Sequence, residues 1–177
     1  LTYRGKTVLV RGEGYHDHNW GSVALNRVMS HWVWGRARVA EFSCIFVEMN
    51  ATRRYGKRKI PVLLLSHKGK VLIEDPRKMR MTSRDQVLHA CGRIYPREVD
   101  FDLEDSGVSF HLRLRDAQVI EANSLLGFLP AWQQKLARLF VNPYYFRFRA
   151  ALEMAINLPA LKRSEKGEAI YELMLLR

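Results

Sequence analysis

The sequence predicts an all-β fold: a closed or nearly closed antiparallel barrel with one amphipathic helix near residues 130–142. Three observations carry this. Apolar and polar residues alternate along run after run, the period of a strand that buries one face. Gly, Pro and Lys-Gly-Lys punctuation divides those runs at short intervals. Only one segment shows clear helical spacing. Closure follows because a sheet of many antiparallel strands would otherwise expose two edges, and a barrel of about eight to ten strands can enclose one small apolar ligand.

Along the chain, strand candidates fall at residues 4–11, 31–37, 39–49, 60–66 and 70–75. "TSRDQVLHACG" (82–92) has the spacing of a capping box, Ser83 with Gln86, but reads equally as a strand, and both alternatives stay open. In "EVDFDLED" the apolar positions are Val99, Phe101 and Leu103; in "GVSFHLRLRD" they are Val108, Phe110, Leu112 and Leu114, opposite Ser109, His111, Arg113 and Arg115. The two runs meet at Asp105-Ser106-Gly107, a turn signal, so they predict a hairpin. A further strand is read at 117–123. "PAWQQKLARLFVNP" opens on Pro130 and sets Trp132, Leu136, Leu139 and Phe140 at helical spacing, predicting a helix packed on the sheet. In "PYYFRFRAALEMAIN" Phe146, Phe148, Ala150, Leu152, Met154 and Ile156 share one face of a long strand, and residues 168–176 supply a last one.

A chain of 177 residues suits a single domain spanning residues 1–177. Its 47% apolar content predicts a folded protein, and no apolar run approaches the roughly 18 residues of a membrane-spanning helix. "LTYRGKTVLVRG" lacks the sections of a signal peptide, so the expected location is cytoplasmic or peripheral to a membrane. The start at Leu1 points to a boundary with sequence upstream. Cys44 and Cys91 are read as reduced core residues. The net charge of +11 favours anionic partners, and the basic run Arg53, Arg54, Lys57, Arg58 and Lys59 is either a solvated loop or a contact for an acidic membrane surface or a phosphate. Nucleic-acid binding is not expected, because alternation in "YYFRFR" sends the phenylalanines and the arginines to opposite faces.

Chemistry concentrates in "GEGYHDHNWG", residues 12–21. If this stretch is extended, His16, His18 and Trp20 share one face, with Tyr15, Asp17 and Asn19 on the other. A His-x-His pair is half of a zinc site, but no second cluster supplies a third ligand, and neither metal nor cofactor is expected. One alternative is structural: glycines that permit a bend, polar side chains bonded to nearby backbone, and Trp20 plugging one barrel end. The other is acid/base chemistry, in which an imidazole held by a carboxylate moves a proton at neutral pH beside an aromatic face that stabilises a cation.

"GYHDHNWG", followed by "HWVWGRARV", resembles the signature of the lipocalin-like carotenoid 1,2-hydratase (hydroxyneurosporene synthase) and AttH superfamily, which also includes certain fungal Diels-Alderases. "LLLSHKGKV", "IYPREVDFDL" and "GEAIYELM" agree with it in order. The resemblance implies a lipocalin-like (calycin) barrel, the C-terminal one of two, with an upstream barrel as neighbour. It implies a long hydrophobic ligand, isoprenoid, carotenoid or polyketide in kind, and acid-assisted hydration or cyclisation of a C=C bond, a hydro-lyase or cyclase activity.

Carried over residue by residue, it makes His18, Asp17 and His16 the acid/base candidates. Tyr15, Asn19, Trp20, Trp34 and Phe46 become the ligand contacts. The family's further acid is expected on the next long strand, where "FSCIFVEMN" offers no Asp and Glu48 is the nearest carboxylate. Glu48 shares parity with Phe42, Cys44 and Phe46; facing inward it would sit as an acid among apolar groups, and at the strand's mouth it would sit in water. The alternative from another class is a non-catalytic hydrophobe carrier with a structural His-Asp-His-Asn-Trp motif.

Overall fold

A computed structural model describes residues 1–11, 16, 18, 20–127, 130–137 and 141–177. A small hairpin, β1 (Thr2–Tyr3) and β2 (Lys6–Thr7), precedes a short helix, α1 (Leu25–Val28). There follow β3 (Met29–Val39), β4 (Phe42–Ala51), a single 3-10 turn (Arg53–Tyr55), β5 (Lys59–His67) and β6 (Lys70–Ile73). The chain continues through β7 (Met79–Leu88), β8 (Ile94–Asp105), β9 (Val108–Ser124), α2 (Ala131–Ala137), β10 (Tyr144–Leu158) and β11 (Leu161–Leu175). Strands β3 to β11 form one antiparallel sheet in the order β6-β5-β4-β3-β11-β10-β9-β8-β7.

Two meanders are therefore joined where β3 pairs with β11, from Arg36↔Ile170 to His31↔Leu175. The open seam lies between β6 and β7, neighbours in sequence. The sheet is nonetheless strongly curled. In a flat sheet β4 and β8, five positions apart, would be separated by about 24 Å; the Phe46 and Phe101 rings instead meet at 5.0 Å. Register shifts of β10 against β9 sharpen the bend, as bulges do by adding local twist. The expected barrel is thus an open, lipocalin-like single sheet, unpaired between β6 and β7, that curls to bury its inner face against itself.

The alternating runs account for the packing. Phe46, Phe101, Phe110, Phe146 and Phe148 are fully buried. Tyr171 stacks on Phe148 at 4.8 Å, and its hydroxyl is buried with no hydrogen-bond partner. Among the described residues the interior is filled by these rings and by Leu63, Leu65, Leu112, Leu114 and Leu152, each at most 1% exposed. Cys44 is buried and Cys91 half-buried, and both are free thiols.

The β8–β9 hairpin forms as predicted, pairing Val99↔Leu114, Phe101↔Leu112, Leu103↔Phe110 and Asp105↔Val108 around Gly107 at φ +80°. On its outer face Asp100 is buried beneath Arg84, Arg113 and Arg115, and Asp102 bonds His111 at 2.7 Å. The segment left open in the sequence is strand β7.

Two expectations change. The strand read at 4–11 is reduced to the hairpin β1–β2, because Val8, Leu9 and Val10 are consecutive and give no single apolar face, while Arg4 and Gly5 turn the chain early with positive φ. The helix is present over Ala131–Ala137, but Trp132 and Leu136 are 67% and 55% exposed, so that stripe is not packed on the sheet; Leu139 and Phe140 lie outside the described residues. No helix among the described residues is long and apolar enough to cross a membrane.

The curl depends on Gly35. A Cβ there would lie 2.7 Å from the Tyr171 Cβ and closer still to the Phe46 ring. Gly35→Ala is expected to destabilise the fold by about 1–3 kcal/mol, since no neighbour can retreat from a filled core. Urea unfolding measures this, and an unchanged midpoint would refute the close approach.

Candidate functional site

Period two places odd residues of β3, even residues of β4 and odd residues of β5 on the inner face. Layers of the barrel end follow from register: Gly35↔Phe46↔Leu63, then Val33↔Glu48↔Pro61, then His31↔Asn50↔Lys59. The core layer is apolar, and the two layers above it carry the polar groups of the rim.

Glu48 is 3% exposed and faces inward with Phe42, Cys44 and Phe46, as its parity predicts. It is not surrounded by apolar groups alone. Lys59 Nζ stands 3.0 Å from Glu48 Oε1, and Asn50 Nδ2 donates to the same oxygen at 3.3 Å. This buried carboxylate is therefore an ion-paired acceptor, with the Lys59 head reaching in from water.

His31 completes the rim. Its Nδ1 is 3.0 Å from Ser30 Oγ, which also donates to the Asn50 carbonyl at 3.0 Å. Burial holds the His31 imidazole below its ordinary value of 6.5, Glu48 pushes it back up, and Lys59 adds to the lowering. Sequence reading missed His31, although its parity with Val33, Gly35 and Ala37 on β3 was the available signal.

The motif segment leads into this rim through α1. Residues 1–11, 16, 18 and 20–27 are all exposed. His18 and Trp20 stack with ring centroids 5.9 Å apart and planes 22° apart, the neighbourhood expected of an i, i+2 pair. Both face solvent, Trp20 at 86% exposure, and His16 is exposed as well. Tyr15, Asp17 and Asn19 lie outside the described residues.

The remaining candidates fall elsewhere. Phe46 is locked in the core against Phe101. Trp34 is on the outer face of β3, opposite Val47 on one side and Glu172 on the other. The motif pair, the rim cluster and Trp34 thus occupy three places: an exposed arm, the inner barrel end and the outer wall.

At the same end of the strands a groove of about 530 Å³ is lined by Met29, Ala51, Arg54, Tyr55, Arg58 and Ile60. Its wall is the turn after β4, tied to α1 by Thr52, which donates from Oγ1 to the Arg27 carbonyl at 3.1 Å and from N to the Val28 carbonyl at 2.8 Å.

Comparison with known proteins agrees with this architecture. The family model described as carotenoid hydratase CrtC matches residues 3–98. The chain is 31% identical over 72 residues to the quinolone epoxide rearrangement protein penF of Penicillium thymicola, covering 41% of this chain and 19% of that protein. It is 39% identical over 70 residues to the acyclic carotenoid 1,2-hydratase of Cereibacter sphaeroides, covering 39% and 24%. The crystal structure of kievitone hydratase from Nectria haematococca superposes with a TM-score of 0.54 at 15% identity, over 88% of this chain and 42% of that one. The matched region thus spans under half of each relative's length.

The lowered His31 value sets a pH dependence. Between its folded value and 6.5 the unfolded chain binds a proton that the folded chain does not, so this group's contribution to stability is lost as pH falls through that window. His31→Gln, which keeps a polar partner for Ser30, is expected to flatten the fall in melting temperature from about pH 7 to about pH 5. Equal slopes in wild type and variant would contradict the assignment.

Proposed function

We propose a function from one premise: this chain belongs to the carotenoid hydratase CrtC family. The proposed activity is acid-assisted hydration or cyclisation of a C=C bond in a long hydrophobic molecule, isoprenoid-like or polyketide-like. Its curated relatives, a carotenoid hydratase and an epoxide rearrangement protein, support that class.

The chemistry follows from what such a substrate needs. An unactivated alkene accepts a proton only from a well-placed acid in a site that excludes water, and the cation that forms needs an electron-rich face until water or an internal nucleophile captures it. His18 is assigned as the acid, with Asp17 and His16 as its partners and Trp20 as the aromatic wall. The carrying observation is the His18–Trp20 stack, which holds a proton donor and an indole face side by side. Glu48 is the reserve acid, one that would first have to leave Lys59.

As they stand, both rings face water, and the arm around them also exposes Val8, Leu9, Val10, Val23 and Leu25. Apolar side chains exposed in this number along one segment suit a contact site. We assign its cover to a second lipocalin-like barrel, upstream in the intact protein, a reading supported by the greater length of the relatives. The ligand would then lie between that barrel and the rim, since the interior of this one is filled. The basic loop beside the rim, Arg53 to Lys59, suits peripheral contact with an anionic membrane from which an apolar substrate could be drawn.

The test is turnover of an acyclic carotenoid or related polyene by the intact protein, read as a mass gain of one water or as an isomeric product. His18→Ala, folded by circular dichroism, is expected to lose about 10²–10⁴-fold in rate while still binding substrate. Equal binding with no turnover in either protein would replace the enzyme by a carrier.

A further inference from the structure

The groove at the rim has a composition that neither the motif nor the core explains. Its lining joins the apolar residues Met29, Ala51 and Ile60 to Arg54, Tyr55 and Arg58. Its volume of about 530 Å³ falls in the range of small-molecule sites.

The wall is built rather than loose. The Tyr55 and Lys57 amides donate to the Thr52 carbonyl at 2.9 and 3.2 Å, the Gly56 amide donates to the Arg53 carbonyl at 3.1 Å, and the Ala51 amide donates to the Arg58 carbonyl at 2.8 Å. Gly56 and Lys57 take positive φ of 72° and 52°, which reverses the chain so that Arg54 and Arg58 flank one opening. Thr52, 2% exposed, fixes this turn to α1.

Among the described residues, no carboxylate pairs with Arg54 or Arg58. On the β7–β9 face Arg84, Arg113 and Arg115 all converge on Asp100. In the run from Arg53 to Lys59, only Lys59 has a carboxylate partner among the described residues, and that partner, Glu48, is buried on the inner side. Two guanidinium groups held on a rigid turn offer fork-shaped donors that match a carboxylate or phosphate, beside a surface that rewards burial of a hydrocarbon chain.

We propose that this groove binds the anionic head of a free amphiphile, a carboxylate or phosphate set between Arg54 and Arg58, with its chain lying on Met29, Ala51 and Ile60. The inference rests on the reading that the chain handles hydrophobic molecules. It adds amphiphiles with an acidic end to that class and gives the acidic end a place away from the motif.

Isothermal titration of the intact protein with decyl phosphate, decanol, inorganic phosphate and phosphatidylglycerol vesicles tests it. Decyl phosphate is expected to bind one per chain and more tightly than decanol or inorganic phosphate. The double variant Arg54→Gln/Arg58→Gln should weaken decyl phosphate at least about tenfold, the effect of losing charge-assisted hydrogen bonds, and leave decanol unchanged. Arg53→Gln/Lys57→Gln removes the same charge outside the groove lining and should change binding less than about threefold.

The inference falls if the two double variants behave alike, which would mean diffuse attraction, or if only vesicles bind, which would mean a membrane surface. If decanol binds but decyl phosphate gains nothing from Arg54 and Arg58, the inference falls and the apolar-ligand reading stands. If no apolar probe binds at all, both fall.

Discussion

A single antiparallel sheet with an apolar inner face has no second layer to bury it, so it must curl until it packs against itself. The contact that achieves this is Phe46 on Phe101, made across strands that a flat sheet would hold far apart. Gly35 makes room for it, because the Phe46 ring occupies the volume a side chain would take. From that contact follow the pairing of the first long strand with the last, the filled interior and the position of every rim residue. His31, Glu48, Asn50 and Lys59 can meet only because the layers beneath them are fixed.

Much of this was legible in local pattern. The β8–β9 hairpin and its face assignments could be read outright, since strict alternation and an Asp-Ser-Gly turn leave one register that buries every apolar residue. The same period gave Glu48 the parity of Phe42, Cys44 and Phe46 but left open whether it sat among them or at the strand's mouth in water. Strand β7 stayed ambiguous because most of its residues are exposed and only Met79, Met81 and Val87 turn toward the core, too few to set a period. The amino-terminal arm was misjudged for a related reason: its apolar residues are consecutive, and no neighbouring strand of the large sheet takes them up.

The candidate site was less legible than the fold. Family resemblance picked out His18 and Trp20, and they do stack, but nothing local to that segment says what covers them. The same resemblance grouped Trp34 with them, and parity on β3 places it on the outer wall. His31 and the groove by Arg54 and Arg58 depend on which strands pair and how the turn after β4 folds, relations between distant residues that no single window contains.

The molecule therefore divides into an aromatic core that is scaffold and a polar, basic rim, the part proposed to meet ligand. Methyl-resolved NMR of the protein titrated with decanol tests this division directly. The account predicts that the methyl groups of Val28, Met29 and Ile60 shift while those of Leu63, Leu112, Leu152 and Met154 stay fixed. Shifts concentrated on the latter four would show that the ligand enters the barrel, and the core would then be a binding cavity rather than a scaffold.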